Sequence, residues 1–397
     1  MATETILPSP GSTWLISTCA LLSKAFLFGL STTRVQGLEN LTRILDRRVQ
    51  PGTPESQNAL ITVSNHTSVM DDPIIWGVLP FRHLLAPANL RWTLGSHDIC
   101  FKNQFTTAFF NNGQVLPTYR LRHSPHGGLF QPVINKTLLM LTPPPLRDRL
   151  ATSNLISTFA SRATTATEYS SEFPTAVSDP GSAKIVGSES RSPTTATTAP
   201  TGADSPPASS FSASASADTS TLITKPPIWL HIFPEGQIYQ HPTLQMRYFK
   251  WGIARYILEL PQPPIILPMF FSGMQNVLHE KRKFPRFIPR AGKQINITFG
   301  EAVPLERWDK VRTRWRELRK TCAKIGGEEG ERLLREGSEA VQLRVEVALM
   351  VREEVEKLRV RCGYSPAEPE SALAETFKNK WSYLHEFEAD LEKHINS

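Results

Sequence analysis

The sequence is poor in cysteine and lacks any paired cysteine spacing. Its 397 residues include only Cys19, Cys100, Cys322 and Cys362, which lie far apart in the chain. Zinc fingers and disulfide frameworks need closely spaced or paired cysteines, so neither class is supported. We therefore expect these four thiols to be buried or inert.

Two further motifs are missing. No serine or cysteine lies in a G-x-S-x-G setting, so the sequence offers no nucleophile elbow for a covalent acyl-enzyme. The N-terminus makes a poor transit peptide, because Glu4 is acidic and no arginine precedes Arg34.

The composition is that of a folded, basic protein. Hydrophobic residues make up 40% and charged residues 20%, and 44 Lys and Arg against 37 Asp and Glu give a net charge of +7. The length fits one large α/β domain with appendages or two average domains. The basic balance favours an acidic partner, such as nucleic acid, anionic lipid or a phosphorylated substrate. No nucleic-acid-binding module accompanies the charge, so we expect no nucleic acid partner.

The N-terminal segment Trp14–Leu30 is apolar but contains Lys24 and is shorter than the roughly 20 residues that cross a bilayer. On a helical projection Thr13, Ser17, Lys24 and Ser31 form a thin polar stripe, and apolar residues cover the remainder. This pattern favours a helix that lies in the membrane interface. A membrane-spanning helix and a buried core helix stay open as alternatives.

Short apolar segments alternate with helical patterns along most of the chain. Strand patterns occur at Ala59–Ser64, Leu90–Thr93, Val115–Pro117, 226–233, 263–274 and 294–303. Helical patterns occur at Val35–Arg48, Met70–Leu79, 104–111, Phe249–Leu260 and from Arg307 onward. This alternation predicts a single α/β domain, in which helices cover a sheet.

The composition changes abruptly between about residues 142 and 224, where Ser, Thr, Ala and Pro predominate. Such a segment cannot bury enough apolar surface to fold, so we predict a disordered insertion. We divide the chain into a membrane-interface segment at 1–50, an interrupted domain at 51–304 and a charged helical region at 305–397. In the last region a repeat of three and four predicts one packing face, formed by Val341, Val345, Ala348, Val351, Val355 and Leu358.

The stretch ITVSNHTSVMDDPIIW, residues 61–76, combines a strand pattern with His66, Asp71 and Asp72. In one continuous helix His66 and Asp71 would face about 140° apart. They can meet only if His66 lies in the loop after the strand and Asp71 lies in the first turns of the helix. That arrangement suits a general base whose second imidazole nitrogen is held by a carboxylate. Ordinary capping and turn chemistry stays open, and Asp72 before Pro73 favours such a structural role.

A metal site is a weaker reading of the same histidine. Structural and catalytic metal sites need at least three protein ligands, and candidates such as His97, or His231 with Glu235, lack a metal spacing. Pro234 breaks any helix that would carry both His231 and Glu235. We therefore expect no metal.

Two further strand ends carry residues suited to a ligand. In IFPEGQI, residues 232–238, Glu235 places a carboxylate where open α/β sheets bind ligands, and Gly236 permits a positive φ. In NNGQVLPTYR, residues 111–120, Arg120 could hold a phosphate with two hydrogen bonds. An ordinary turn and a surface cation are the alternatives.

A basic run follows at 281–293, where cations alternate with Phe284, Phe287 and Ile288. A solvated loop and contact with an anionic membrane surface explain this run equally well.

Taken together and in this order, NHTSVMDD, GQVLPTYR, FPEG and PPIILPMFF resemble the four sequence blocks of the glycerolipid acyltransferase family. The resemblance covers about residues 35–303 without the insertion; the insertion and the C-terminal region depart from the family pattern. It implies an α/β sheet covered by helices, with His66 as the general base and Asp71 as its orienting partner. It also implies that Arg120 and the block Phe233-Pro234-Glu235-Gly236 contact the glycerophosphate backbone, and it implies no cofactor.

Longer phrases, among them LITVSNHTSVMDDPIIWGVL and HIFPEGQIYQ, resemble one branch of that family. Members of this branch move acyl groups between phospholipids without coenzyme A, onto monolysocardiolipin, and so remodel cardiolipin. The resemblance implies phospholipid partners (cardiolipin, monolysocardiolipin and phosphatidylcholine). It also implies anchoring, without crossing, on the inner and outer mitochondrial membranes, facing the intermembrane space. An acyl-CoA-dependent lysophospholipid acyltransferase shares the same blocks and is the main alternative. A non-catalytic membrane-binding protein is a rival from another class.

Overall fold

The computed structural model describes residues 10–120, 124, 127–143, 146, 227–283, 285 and 288–379. The predicted disordered insertion at about 142–224 lies almost entirely outside the described residues.

Seven strands in the described part of the chain form one sheet. They are β1 (Thr32–Gln36), β2 (Leu60–Ser64), β3 (Trp92–Ser96), β4 (Val115–Thr118), β5 (Trp229–Ile232), β6 (Ile265–Ser272) and β7 (Gln294–Phe299). Their order is β1-β7-β6-β2-β5-β3-β4, and every neighbouring pair is parallel except β6 with β7. The carboxyl ends of β2 and β5 therefore lie side by side, at the edge where open α/β sheets bind ligands.

Helices cover both faces of this sheet. The described helices before the insertion are α1 (Pro10–Gly29), α2 (Leu38–Arg48), α3 (Pro54–Gln57), α4 (Asp71–Val78), α5 (Phe81–Leu84), α6 (His97–Cys100), α7 (Gln104–Asn112) and α8 (Pro132–Leu141). Those after it are α9 (Gly252–Glu259), α10 (Met274–Val277), α11 (Asp309–Ile325), α12 (Gly327–Glu336), α13 (Ser338–Arg361) and α14 (Ala374–Asn379). Short 3-10 helices occupy Pro87–Asn89, Leu305–Trp308 and Pro369–Ala372.

The core has two parts, one on each face of the sheet. In β2, Ile61 and Val63 pack on the face covered by α8, α9, α11 and α13. Leu60 packs on the face covered by α1, α2 and α4. The central strands are thus buried on both faces, which explains why their sequences are continuous apolar runs. The predicted α/β sheet covered by helices is confirmed.

Helix α1 turns a small and partly polar face towards the domain and an apolar face outward. It packs along α4 through its buried residues, which are Ser12, Ile16, Ala20, Ser23 and Leu27. The opposite face exposes large apolar side chains, namely Trp14, Leu21, Leu22 and Phe28. Among the described residues, α1 is the helix that is long and apolar enough to cross a membrane. The predicted N-terminal helix is confirmed, and half of its large apolar side chains are exposed.

The predicted helix at Val35–Arg48 is wrong in its first turn, and a strand was missed there. Residues Thr32–Gln36 form β1, and the helix begins at Leu38, after Gly37 with its positive φ of 68°. β1 lies at the edge of the sheet, and its side chains alternate between exposed and half-buried. An edge strand needs no continuous apolar run, so the polar sequence TTRVQ gave no strand signal. The strand predicted at Leu90–Thr93 is likewise displaced, to Trp92–Ser96.

The packing face of α13 is broader than the predicted one. Ala348, Val351, Val355 and Leu358 are buried as predicted, whereas Val341 and Val345 are only half-buried. The same face also buries residues that the apolar repeat did not include, namely Leu343, Arg344, Val347, Arg352 and Arg359. Three arginines of this helix are thus buried.

Candidate active site

His66 lies in the loop that joins the end of β2 to the start of α4, and Asp71 is the first residue of α4. The His66 Nδ1–H donates to Asp71 Oδ2 across 3.1 Å. Asp71 is completely buried, while the His66 side chain is 18% exposed. The structure therefore has the predicted geometry, with the histidine in the loop and the aspartate reaching back from the helix. With Nδ1 held by the carboxylate, Nε2 is the nitrogen left for a substrate proton.

The Asp71 carboxylate also shapes the loop. The main-chain N–H of Ser68 donates to Asp71 Oδ2 across 2.8 Å, and the Thr67 hydroxyl donates to Asp71 Oδ1 across 3.3 Å. At the start of the loop, the Asn65 amide exchanges two hydrogen bonds with the main chain of Phe271 in β6, at 2.9 and 2.8 Å. These bonds fix the loop at both ends, so the imidazole is held in one position.

Glu235 lies beneath the same loop. Its Oε1 accepts the main-chain N–H of His66 across 2.9 Å, and its Oε2 accepts the main-chain N–H of Arg247 across 2.9 Å. The side chain is almost completely buried. Burial raises the pKa of Glu235 to about 7, against the opposing effect of these two hydrogen bonds. Both carboxylate oxygens are thus engaged by the protein, and the substrate contact implied for Glu235 stays a prediction.

Phe233 and Gly236 flank Glu235 in the block at 233–236. The Phe233 ring stacks on the His66 ring with centroids 4.0 Å apart. The main-chain N–H of Lys250 donates to the Pro234 carbonyl across 2.8 Å. Gly236 has a φ of +67°, and an added Cβ would lie 2.5 Å from Lys250 Nζ. Only glycine adopts this backbone conformation readily while leaving room for the lysine.

Arg120 pairs with Asp98, the second residue of α6. Arg120 Nε donates to Asp98 Oδ1 across 3.0 Å, and a second bond joins Nη2 to Oδ2. The charges of Arg247 and Arg120 lower the pKa of Lys250, although burial is the larger cause. Lys250 therefore lies beside the block at 233–236 within electrostatic reach of both Arg120 and Arg247. The sequence identified Arg120 but not Arg247 and Lys250, since the only signal was one cation just before the helix predicted at Phe249–Leu260 and one within it.

His231 forms a buried polar network under the site. Thr62 Oγ1 accepts the indole N–H of Trp229 across 2.9 Å and lies 2.8 Å from His231 Nδ1. His231 Nε2 lies 3.3 Å from Ser64 Oγ, whose hydroxyl donates to the Asn65 carbonyl. Burial lowers the pKa of His231 well below its ordinary value, so this imidazole is neutral. Sequence reasoning considered His231 only as a metal ligand, and its network was not foreseen.

Among the described residues, no group of three or more His, Cys, Asp or Glu side chains could hold a metal ion. The arrangement around His66 is that of a base oriented by a buried carboxylate. Such a pair can take a proton from a hydroxyl and return it to a leaving alkoxide.

Comparison with known proteins agrees with this chemistry. Residues 32–142 match the model of the Acyltransferase family. The chain is 30% identical to tafazzin of Saccharomyces cerevisiae over 355 residues, which cover 87% of this chain and 77% of that protein. It is 25% identical to a protein named taffazin of Dictyostelium discoideum, over 70% of this chain and 65% of that protein. It is also 24% identical to N-acylphosphatidylethanolamine synthase of Arabidopsis thaliana, over 74% and 70% respectively.

Proposed function

Since this chain is an acyltransferase that belongs to the tafazzin family, we propose that it is a coenzyme A-independent transacylase acting between phospholipids and lysophospholipids. It remodels cardiolipin by transferring acyl groups to monolysocardiolipin. The observation that carries the proposal is the His66–Asp71 pair, which places an oriented base at the sheet edge next to the block at 233–236. Family membership favours a location on mitochondrial membranes, facing the intermembrane space.

In the proposed reaction, His66 Nε2 removes the proton from a free hydroxyl of the lysophospholipid. The resulting oxygen attacks the ester carbonyl of the donor phospholipid, and a tetrahedral intermediate forms. When the intermediate collapses, the imidazolium returns the proton to the departing lysolipid alkoxide. Asp71 stabilises the imidazolium throughout. The new ester and the released lysolipid balance the bonds broken and formed, and no acyl-enzyme is needed.

The cations beside the block at 233–236 would bind the phosphate of a substrate lipid. Lys250 lies within electrostatic reach of Arg247 and Arg120, and its burial strengthens the attraction between its charge and an anion. Lys250→Met is expected to raise KM for the acceptor about tenfold, with a smaller change in kcat. Lys310→Met, at an exposed position in α11, is the matched control and should leave both constants unchanged.

The donor requirement tests the proposal directly. Purified protein is mixed with phosphatidylcholine that carries a labelled acyl chain, and with monolysocardiolipin, in the absence of coenzyme A. The proposal predicts labelled cardiolipin and lysophosphatidylcholine in equal amounts. Transfer that occurs only with acyl-CoA would instead identify an acyl-CoA-dependent lysophospholipid acyltransferase. A parallel reaction with phosphatidylethanolamine as acceptor tests N-acylation, the activity named for the Arabidopsis relative.

We also propose that the protein lies on the bilayer without crossing it. The apolar outer face of α1 continues onto α7, which contacts α1 and exposes Phe105 and Phe109. Neither helix contains a carboxylate. Val69, in the loop that carries His66, is 60% exposed. These apolar side chains suit the acyl boundary of a membrane.

The basic run at 281–293 meets the end of α1. The main-chain N–H of Gly292 donates to the Leu30 carbonyl across 2.6 Å, and the N–H of Thr32 donates to the Lys293 carbonyl across 3.0 Å. Cations at this position would lie over anionic headgroups. Because α1 packs along α4, it can lie in the interface without leaving the domain.

The membrane surface is tested with the variant Phe105→Ser/Phe109→Ser in a vesicle flotation assay. Vesicles contain phosphatidylcholine with one fifth cardiolipin. The variant is expected to lose binding about tenfold or more, because two exposed aromatic rings no longer enter the bilayer. Ile325→Ser, a half-exposed apolar position at the end of α11, should bind as the wild type does. Equal binding by all three proteins would contradict this surface.

A further inference from the structure

Two of the three buried arginines of helix α13 bind the same stretch of main chain. Arg352 and Arg359 are seven residues apart on one face of the helix, and both are buried. Their guanidinium groups donate to main-chain carbonyls of the segment 243–247. Arg352 binds the carbonyls of Arg247 and Met246 at 3.1 and 2.9 Å; Arg359 binds those of Leu244 and Thr243 at 2.9 and 2.8 Å.

The segment 243–247 has no regular secondary structure, and it needs such partners. Its residues form neither a helix nor a strand. Leu244 has a φ of +52°, a left-handed conformation that is unfavourable for leucine. Buried carbonyls without a partner are costly. The two guanidinium groups satisfy four consecutive or near-consecutive carbonyls and hold this backbone in an unusual shape.

This segment is in turn bonded to the catalytic loop. The Arg247 N–H donates to Oε2 of Glu235, while Oε1 of the same carboxylate accepts the His66 N–H. Just before this segment in the chain, the Tyr239 N–H donates to the His66 carbonyl across 2.8 Å. Three hydrogen bonds therefore join helix α13 to the catalytic histidine: Arg352 to the Arg247 carbonyl, the Arg247 N–H to Glu235, and the His66 N–H to Glu235.

Both arginines are themselves held by the C-terminal region. Arg352 Nη2 donates to Ser371 Oγ across 2.8 Å, and Arg359 Nη1 donates to Glu356 Oε1 across 2.8 Å. In α14, the Phe377 ring lies 4.7 Å from the Arg247 guanidinium. The C-terminal helices thus enclose the segment that holds Glu235.

Several titratable groups face Glu235 from the elements packed around it. They are His66 in the loop after β2, Tyr239 and Arg247 in the segment before α9, and Arg352 in α13. Burial lowers the pKa of Arg352, and the nearby carboxylates of Glu356 and Glu235 oppose this shift. Lys250, three residues after Arg247, lies next to Gly236.

We propose that Arg352 and Arg359 are positioning residues for acyl transfer, which hold the segment 243–247 so that the Glu235 carboxylate fixes the backbone of His66. The C-terminal helical region then contributes to catalysis by positioning His66. This inference rests on the proposed function for the role of His66. The hydrogen-bond chain itself can be tested without any activity.

The first test compares Arg352→Met and Arg352→Lys with the control Arg312→Met. Arg312 is a mostly buried arginine of α11 that donates to the carbonyls of Leu260 and Pro261, away from Glu235. Acyl transfer is measured against pH for each protein. Arg352→Met is expected to lower kcat about tenfold with little change in KM, because His66 is less well placed. It should also move the acid limb of the profile upward by about half a pH unit or more, because ionised Glu235 loses a nearby positive charge.

Arg352→Lys keeps the charge and should restore the position of the acid limb. Arg312→Met should lower thermal stability and leave the limb where it is in the wild type. Equal losses of stability in Arg352→Met and Arg312→Met, with no movement of the limb in either, would overturn the proposal.

The second test is amide hydrogen exchange of the folded proteins, which is independent of the reaction. The N–H groups of His66 and Arg247 are expected to exchange at least tenfold faster in Arg352→Met than in Arg312→Met. Unchanged exchange at both amides would overturn the positioning role, whatever the activity. If both amides exchange faster in Arg352→Met but the wild-type protein transfers no acyl group, the positioning role is supported and only the proposed function is rejected.

Discussion

Asp71 and Asp72 are neighbours in the chain but have different partners. Asp71 holds His66 Nδ1, whereas Asp72 forms an ion pair with Arg91, whose side chain is almost completely buried and lies over the Trp76 ring. Asp71→Asn would place an amide N–H against Nδ1 and favour the wrong tautomer. We expect kcat to fall about 10²- to 10⁴-fold with the fold intact, as when a catalytic histidine loses its orienting carboxylate.

Asp72→Asn is the matched control for Asp71→Asn. It weakens the Arg91 ion pair and should lower the free energy of unfolding by about 1–3 kcal/mol, with kcat close to that of the wild type. Unfolding in urea and acyl transfer are measured on both variants. A larger loss of kcat in Asp72→Asn than in Asp71→Asn would reverse the roles of the two residues.

Glu235 gives the protein a stability term that depends on pH. Its pKa rises from 4.5 in the unfolded chain to about 7 in the folded protein, because burial disfavours the ionised form. The folded state therefore binds more protons between these values, so stability falls as pH rises from 4.5 to 7. The loss is about 3 kcal/mol, at roughly 1.4 kcal/mol for each pKa unit.

Glu235→Gln removes this term, because a glutamine does not ionise. The variant also loses one of two acceptors for the main-chain N–H groups, at a cost of about 1–3 kcal/mol at every pH. The free energy of unfolding of the wild type minus that of the variant should thus be larger at pH 5 than at pH 8. Urea unfolding at both pH values measures it, and two parallel curves would argue against a raised pKa.

At the scale of residues, the His66–Asp71 contact could be predicted and the Glu235 contacts could not. The first pair lies within five residues, so strand, loop and helix geometry decide whether the side chains meet. The second set joins the loop after β2 to the turn after β5 and to Arg247. That depends on which strands are neighbours in the sheet, and a strand pattern does not contain this information. Lys250 was missed for the same reason.

Helices α1 and α4 approach each other closely at Gly77. A Cβ added to Gly77 of α4 would lie 2.8 Å from Ser23 Cβ and 3.0 Å from the Lys24 nitrogen. Gly77→Ala is expected to force α1 away from α4 and to lower the free energy of unfolding by about 1–3 kcal/mol. At Gly252, the first residue of α9, an added Cβ meets nothing within 4 Å.

Gly252→Ala therefore serves as the control and should be neutral or slightly stabilising. Thermal unfolding and vesicle flotation are measured on both proteins, because a displaced α1 would also alter the apolar membrane surface. Equal melting temperatures for the two variants would show that α1 does not depend on this close approach.

Elements were predictable where the chain has a strong period or a continuous apolar run. The apolar segments that become β5 and β6 gave a clear signal, as did the charged helices after residue 305. β1 gave none, because an edge strand is only partly buried. The arginines of α13 interrupt its apolar repeat, yet they are buried because carbonyls of other segments accept their hydrogen bonds.

On the scale of the whole molecule, the net charge of +7 does not show how many cations are exposed on the surface. Many arginines are buried and bind carbonyls or carboxylates, namely Arg48, Arg91, Arg255, Arg312, Arg344, Arg352 and Arg359. They are not available to an acidic partner. The described cations suited to a membrane are those of the basic run near the end of α1, with a contribution of about 1 kcal/mol each at low salt.

Binding to vesicles should therefore have two components. On vesicles with cardiolipin, we expect the partition coefficient to fall as salt rises from about 0.05 to 0.5 M and then to level off, because salt screens only the charges. On vesicles of phosphatidylcholine alone, the apolar faces of α1 and α7 should give weaker binding that salt does not change. Binding to the anionic vesicles that salt abolishes completely would mean that the apolar faces do not enter the bilayer.

The central claim is that His66 acts as the base in acyl transfer between lipids. It is tested most directly by the rate of exchange between labelled phosphatidylcholine and monolysocardiolipin without coenzyme A, in wild type and His66→Ala at equal folded concentration. We predict measurable transfer by the wild type and a loss of at least 10³-fold in the variant, with an unchanged circular dichroism spectrum. Transfer by His66→Ala at a rate close to that of the wild type would contradict the account.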